Sequence, residues 1–347
     1  VTRIFGWQED TSGCGHYRIQ VPLKALASRG FDATYGRVLP LDVLHDSTAD
    51  VIVAQRLADP GSTRTWQHLA EHSDSMLVLD LDDDMWNIEA HNEPAFSVYN
   101  QQALRDLERN IAAAHLVTVS TATLAEVASK FNSNVAVVPN CVDSWMLDHQ
   151  PPVTNDLLTV GWAGGYSHLK DWDECAPAVK RFVDRNPDVE LHTIGAYFTA
   201  RPNRARHSNW LPGVEDYLRY IDFDIGLAPL RPGVFNRSKS DLRVRELGAL
   251  GIPVIASDFG PYADTVAHGE TGWLVKYPHD WTTALRALAD PDTRAAMSIA
   301  ARQVARGWTI DHNLHHWLDA YNLNHHGNNH DRAEDSPDAH VAAHLLQ

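Results

Sequence analysis

Residues 236–275 read NRSKSDLRVRELGALGIPVIASDFGPYADTVAHGETGWLV, and the order of elements in this stretch decides how the rest of the chain is organised. A polar, basic segment, 237–245, ends on Glu246 and gives way to a helix, a tight turn, a buried strand and a loop. Gly251 falls where a left-handed C-terminal cap is wanted, and Pro253 cannot prolong helical hydrogen bonding. Val254, Ile255 and Ala256 form a short apolar run, the pattern of a strand covered on both faces of a parallel sheet. Ser257, Asp258, Phe259, Gly260 and Pro261 then make a loop at the carboxyl end of that strand. Ligands of open α/β sheets bind on that side.

Working outward, the same alternation recurs on both sides. Apolar runs at 157–162, 190–195, 224–230, 254–256 and 273–275 predict strands, separated by helices at 173–185, 214–221, 281–290 and 291–306. The first half carries runs at 3–7, 32–35, 51–54, 76–79, 116–120 and 135–138, with helices at 17–28, 63–72, 96–114 and 124–130. Strands alternating with helices imply two doubly wound parallel-sheet domains, Rossmann-like in pattern. The expected division is 1–150 for the first and 151–308 for the second, with the Pro-rich polar stretch 149–155 as linker. Leu314, Trp317, Leu318 and Tyr321 have helical spacing within a final helix over 309–323. Residues 324–347 are polar and His-rich and are expected to be disordered.

At 347 residues the chain is long enough for two cores. Its 44% hydrophobic and 21% charged content is that of a globular protein, and no run of eighteen apolar residues predicts a membrane span. The start VTRIFGWQEDTSG lacks the basic and apolar regions of a secretory signal. Cys14, Cys141 and Cys175 are too few and too scattered for a disulfide framework, so a cytoplasmic location is expected. A net charge of −16 argues against broad contact with nucleic acid or anionic lipid. Arg237, Lys239, Arg243 and Arg245 nonetheless lie within nine residues. They read either as a solvated helix face or as a diphosphate site.

Glu246, the run Gly251-Ile252-Pro253-Val254 and Gly269-Glu270-Thr271-Gly272 together resemble the donor-binding segment of retaining, family-4-like glycosyltransferases of the GT-B fold. Val138-Pro139-Asn140-Cys141-Val142-Asp143 resembles the end of the first domain in that family, with Cys141 in place of the usual glycine. The resemblance implies two Rossmann-like domains facing a central cleft and a last helix that crosses back to the first domain. It implies transfer of a sugar from a nucleotide-diphosphate sugar to an acceptor hydroxyl, with Glu246 on the nucleotide ribose and no tightly bound cofactor. The family's second carboxylate, eight residues earlier, is here Ser238. Of its phosphate-binding Arg and Lys, the first position is Gly165 and the second lies one residue beyond Lys170.

Charge grows on the leaving diphosphate during such a transfer, so preorganised cations are its main requirement. Lys239 and Arg243 are the candidates for that role, with His168 adding a hydrogen bond. Gly13, Gly15 and His16, in the loop after the first strand, Gly164, Gly165 and Lys170, after the first strand of the second domain, and Ser238 are candidates to line the donor site. Front-face attack, in which the departing phosphate takes the acceptor proton, needs no protein nucleophile and fits Ser238. If a carboxylate assists, Asp82 and Asp84 at the end of the fourth strand are the candidates, with Asp80 structural. The alternative use of those three acids is a divalent metal, and no metal is the expected reading. Trp86, Trp162, Trp172 and Trp210 are available to stack on sugar or base, or to pack. A sugar-nucleotide epimerase or hydrolase, and a non-catalytic binding module, are the competing readings. The acceptor stays open among protein hydroxyls, glycans, small metabolites and modified nucleobases.

Overall fold

A computed structural model describes residues 1–154, 156–197 and 201–324. The tail expected to be disordered and Asn155 of the linker thus lie outside the described residues, apart from Asn324.

Six parallel strands build the first sheet: β1 Arg3–Trp7, β2 Asp32–Gly36, β3 Val51–Gln55, β4 Met76–Leu81, β5 Leu116–Val119 and β6 Val135–Val137. They lie in the order β2-β1-β3-β4-β5-β6. The second sheet comprises β7 Leu158–Gly164, β8 Val189–Gly195, β9 Ala205–Ser208, β10 Ile225–Ala228, β11 Val254–Ser257 and β12 Gly272–Val275. Its order is β12-β11-β10-β7-β8-β9, again parallel. In the first sheet the winding reverses between β1 and β3, and in the second between β7 and β10. The loops that follow those strands diverge there and leave a crevice, and the two crevices face each other.

The sequence expectations hold for the central strands because these are covered on both faces: Ile52, Leu77, Leu79, Val117, Val160, Leu191 and Ile255 are all fully buried. Gly251 has φ +71°, the left-handed value expected of it. Two expectations are corrected. The helix read over 96–114 is two, Glu93–Val98 and Gln101–Ala113, because the Asn100 side chain accepts from the amides of Gln102 and Ala103 and starts a new helix. The helix read from 17 starts at Gly13 and passes through a π turn, His16–Gln20, before Val21–Ser28. Cys141 does not take a positive φ, so no strain attends the replacement of glycine there; the positive-φ residues other than glycine, among those described, are Ser47, Arg56 and Asn322.

The edge strand β9 escaped the sequence reading, since Ala205-Arg206-His207-Ser208 has neither an apolar run nor a clean alternation. Charge pairing holds it in place. Arg206 binds Glu190 at 2.8 Å and also Asp222, while buried His192 bridges Asp222 at 2.6 Å and Ser208 at 2.9 Å. Burial opposes ionisation of Asp222, but hydrogen bonds from His192, Arg206 and Thr154 overcome it and bring its pKa down to about 2. A folded pKa below the unfolded one means that this stabilisation is present above about pH 4 and is lost as pH falls towards 2. The stability gap between wild type and Asp222→Asn, measured by urea unfolding, is expected to close over that interval.

After the second domain the chain returns. Val142 and Thr309 form a bridge, and the helices Ile310–Asn313 and His315–Ala320 follow. Ile310, Leu314, Trp317 and Tyr321 pack with Ile4, Ile19 and Leu26 in the core of the first domain. The crossover is held by apolar burial.

Candidate functional site

The facing crevices enclose a cleft of about 540 Å³. Residues from the first sheet's loops (Gly13, Tyr17, Asp82, Asp83) and from the second (Gly165, His168, Lys239, Arg243, Glu246) all line it.

Glu246 stands in the helix Leu242–Ala249, just before β11, and is buried. Both its oxygens are occupied: Oε1 accepts from the Tyr17 hydroxyl at 2.7 Å, across the domain boundary, and Oε2 from Arg243 Nη1 at 2.7 Å. Arg243 also donates to the Tyr217 hydroxyl. Burial works against the charge of Arg243, but Glu246 outweighs it and drives its pKa up. Burial, followed by the Glu246 charge, raises the Tyr17 pKa well above the usual phenol value, so Tyr17 is a fixed donor.

Lys239 is the other cation of this wall. Its Nζ pairs with Asp83 of the first domain at 3.1 Å and lies 4.5 Å from the centre of the Phe235 ring. Desolvation would lower its pKa, yet Asp83 raises it, so the ammonium stays charged. Of the remaining basic residues in the opening stretch, Arg245 is tied to Asp241 at 2.7 Å and Arg237 lies over Phe259.

His168 is positioned by Asp171, whose buried carboxylate accepts from His168 Nδ1 at 2.8 Å, from Asn236 Nδ2 at 2.8 Å and from the Arg231 amide at 2.9 Å. Burial lowers the His168 pKa. A neutral ring that donates through Nδ1 leaves Nε2 as an acceptor. Gly13 and Gly165 have open space where a side chain would stand, so a ligand can approach their backbone closely.

Several sequence candidates lie elsewhere. Asp84 is fully buried and does not line the cleft; it caps the short helix Met85–Asn87 by accepting from Trp86 N at 3.2 Å and Asn87 Nδ2 at 2.8 Å. Lys170 is half-exposed and pairs loosely with Asp173 at 3.6 Å. Ser238 is buried off the cleft, and its carbonyl accepts from Thr121 Oγ1 at 2.9 Å. His16 faces Asp143 at 3.4 Å. Gly15 is a packing glycine, since a Cβ there would lie 1.9 Å from the Asp10 carbonyl oxygen, and one at Gly164 would strike the Trp162 ring. Trp162 and Trp210 line the cleft, whereas Trp86 stacks on Phe131 and Trp172 packs edge-on against Trp162.

The acids at the end of β4 and just beyond it therefore separate by partner. Asp80 makes a two-point pair with buried Arg18, at 2.9 and 2.7 Å, and accepts from Thr118 at 2.6 Å. Asp82 lies 3.6 Å from Arg56 Nε. Asp83, which the sequence reading passed over, meets Lys239. Among the described residues no group of three or more His, Cys, Asp or Glu is arranged to hold a metal. Nor is any helix among them long and apolar enough to cross a membrane.

Residues 157–290 match the family model described as Glycosyl transferases group 1. The D-inositol 3-phosphate glycosyltransferase of Gordonia bronchialis is 43% identical over 79 residues, 22% of this chain and 17% of that protein, so the match spans less than a fifth of the curated relative. Over nearly the whole length, the structure is similar to a glycosyltransferase from Rickettsia africae (TM-score 0.65, 12% identity, 93% of this chain and 98% of that one). It is similar as well to Anabaena HepE in complex with UDP-glucose (TM-score 0.62, 14% identity, 92% and 100%). Two six-stranded parallel sheets facing a cleft, with the last helices returned to the first, make this a GT-B fold, and residues 157–290 of its second half are similar to the group 1 glycosyltransferases.

Proposed function

We propose that the chain is a glycosyltransferase that moves a sugar from a nucleotide-diphosphate sugar to an acceptor hydroxyl, with retention of configuration and without a metal. The observation that carries this reading is the convergence of Glu246, Arg243 and Lys239 in the cleft at the end of the second sheet. Anabaena HepE, crystallised with UDP-glucose on the same fold, supports the donor class.

In this reading the ribose hydroxyls replace Tyr17 or Arg243 as donors to Glu246, and the diphosphate takes Lys239 from Asp83. The C1–O bond to the diphosphate breaks as the acceptor oxygen bonds C1 on the same face. The acceptor proton passes to the departing phosphate oxygen. Lys239 and Arg243 then stabilise the charge that develops there. No protein nucleophile is called for, in keeping with Ser238 standing off the cleft. His168 Nε2, an acceptor, suits a sugar hydroxyl better than a phosphate. The free thiols of Cys14, Cys141 and Cys175 favour a cytoplasmic setting.

Calorimetry with UDP, GDP and ADP tests the donor site: one of them is expected to bind, and Glu246→Gln to weaken it roughly ten- to a hundredfold, the worth of a charged hydrogen bond. Absence of binding by all three rejects the reading. Breakdown of the donor alone, followed by NMR, would instead favour a hydrolase or epimerase.

A further inference from the structure

Resting on that donor reading, we infer the chemical class of the acceptor: its reacting end is a non-anionic hydrogen-bond donor, an uncharged or amino-bearing polyol, and phosphate- or carboxylate-bearing acceptors are rejected. The cleft wall supplied by the first domain is acidic where the acceptor must stand. Asp82 and Asp83 both line it. Asp82 is only 8% exposed, and its Oδ1 makes no hydrogen bond. The nearest cation, Arg56, lies at 3.6 Å through an Nε that likewise makes none. That oxygen is enclosed beside Arg56, so what Asp82 brings to the cleft lining is negative charge next to Asp83.

The cations of this wall are not free to receive an anion. Arg56 Nη2 is held by Asp10 Oδ2 at 2.5 Å, and its backbone is fixed at φ +49°. Arg18 is engaged by Asp80, the Val138 carbonyl and Asn140. Lys239 is the remaining counter-ion, and the donor diphosphate claims it. Once the donor is bound, Asp83 has lost its partner, and Asp82 keeps only its 3.6 Å ion pair with Arg56. Two acceptor-only carboxylates then line the cleft on the side of the first sheet. A hydroxyl or ammonium group suits them, whereas a phosphate meets like charge.

Small molecules from a cell extract, split on an anion exchanger into unretained and retained pools, are incubated with the protein and ¹⁴C-labelled UDP-, GDP- and ADP-sugars. Label is expected on compounds of the unretained pool, at least about tenfold over the retained pool, and Asp82→Asn with Asp83→Asn is expected to narrow that ratio. Label mainly on retained compounds overturns the inference. So does its absence from both pools when calorimetry shows the nucleotide bound, an outcome that leaves the donor reading standing. If no nucleotide binds, both fall.

Discussion

Lys239→Ala is expected to lower kcat by roughly 10²–10³-fold, about 3–4 kcal/mol of transition-state stabilisation, with a smaller change in donor affinity. The reason is position and state together. Lys239 is 8% exposed, keeps its charge through Asp83, and sits on the wall that also presents Arg243. In the resting cleft its attraction is spent on Asp83. In the proposed reaction it would be spent on a phosphate whose charge increases along the path, and only that increase would accelerate the step. Single-turnover kinetics separate the two contributions. A loss confined to KM would assign Lys239 to ground-state binding instead. Lys170→Ala makes a useful comparison, because that ammonium lies half in solvent and outside the cleft.

The second large effect is on stability. Asp80→Ala is expected to cost about 3–5 kcal/mol and to lower the unfolding midpoint by roughly 6–20 °C, since it strands Arg18 as a buried, uncompensated charge. Arg18 is 1% exposed, and its other contacts, to the Val138 carbonyl at 2.6 Å and Asn140 Oδ1 at 3.0 Å, carry no opposing charge. Asn140 in turn donates to Ser240 Oγ at 2.8 Å in the second domain, so the same change loosens the domain contact beside Lys239. Differential scanning calorimetry measures the drop. A decrease no larger than that of a surface ion pair, about 1 kcal/mol or less, would show that water reaches Arg18.

These two residues illustrate how far sequence reasoning reaches. Asp80, Asp82, Asp83 and Asp84 are neighbours in an acidic run, and no local pattern ranks them. Arg18, which claims Asp80, lies 62 positions earlier, and Lys239, which meets Asp83, lies 156 positions later. Asp84 is claimed locally, by a helix cap three residues long. Likewise, nothing in the sequence around Tyr17 announces a partner 229 residues away.

What the sequence determined by itself is the set of elements whose signals are local: fully buried strands such as Val51–Gln55 and Val254–Ser257, the glycine at 251, and the winding of two parallel sheets. These follow from backbone propensity and from burial on both faces, which the order of apolar residues expresses directly. Only the tertiary structure decided the edge strand Ala205–Ser208, which of the acids line the cleft, and which carboxylate holds each of its cations. Charge pairing decides those, and it depends on distance in space between groups far apart along the chain.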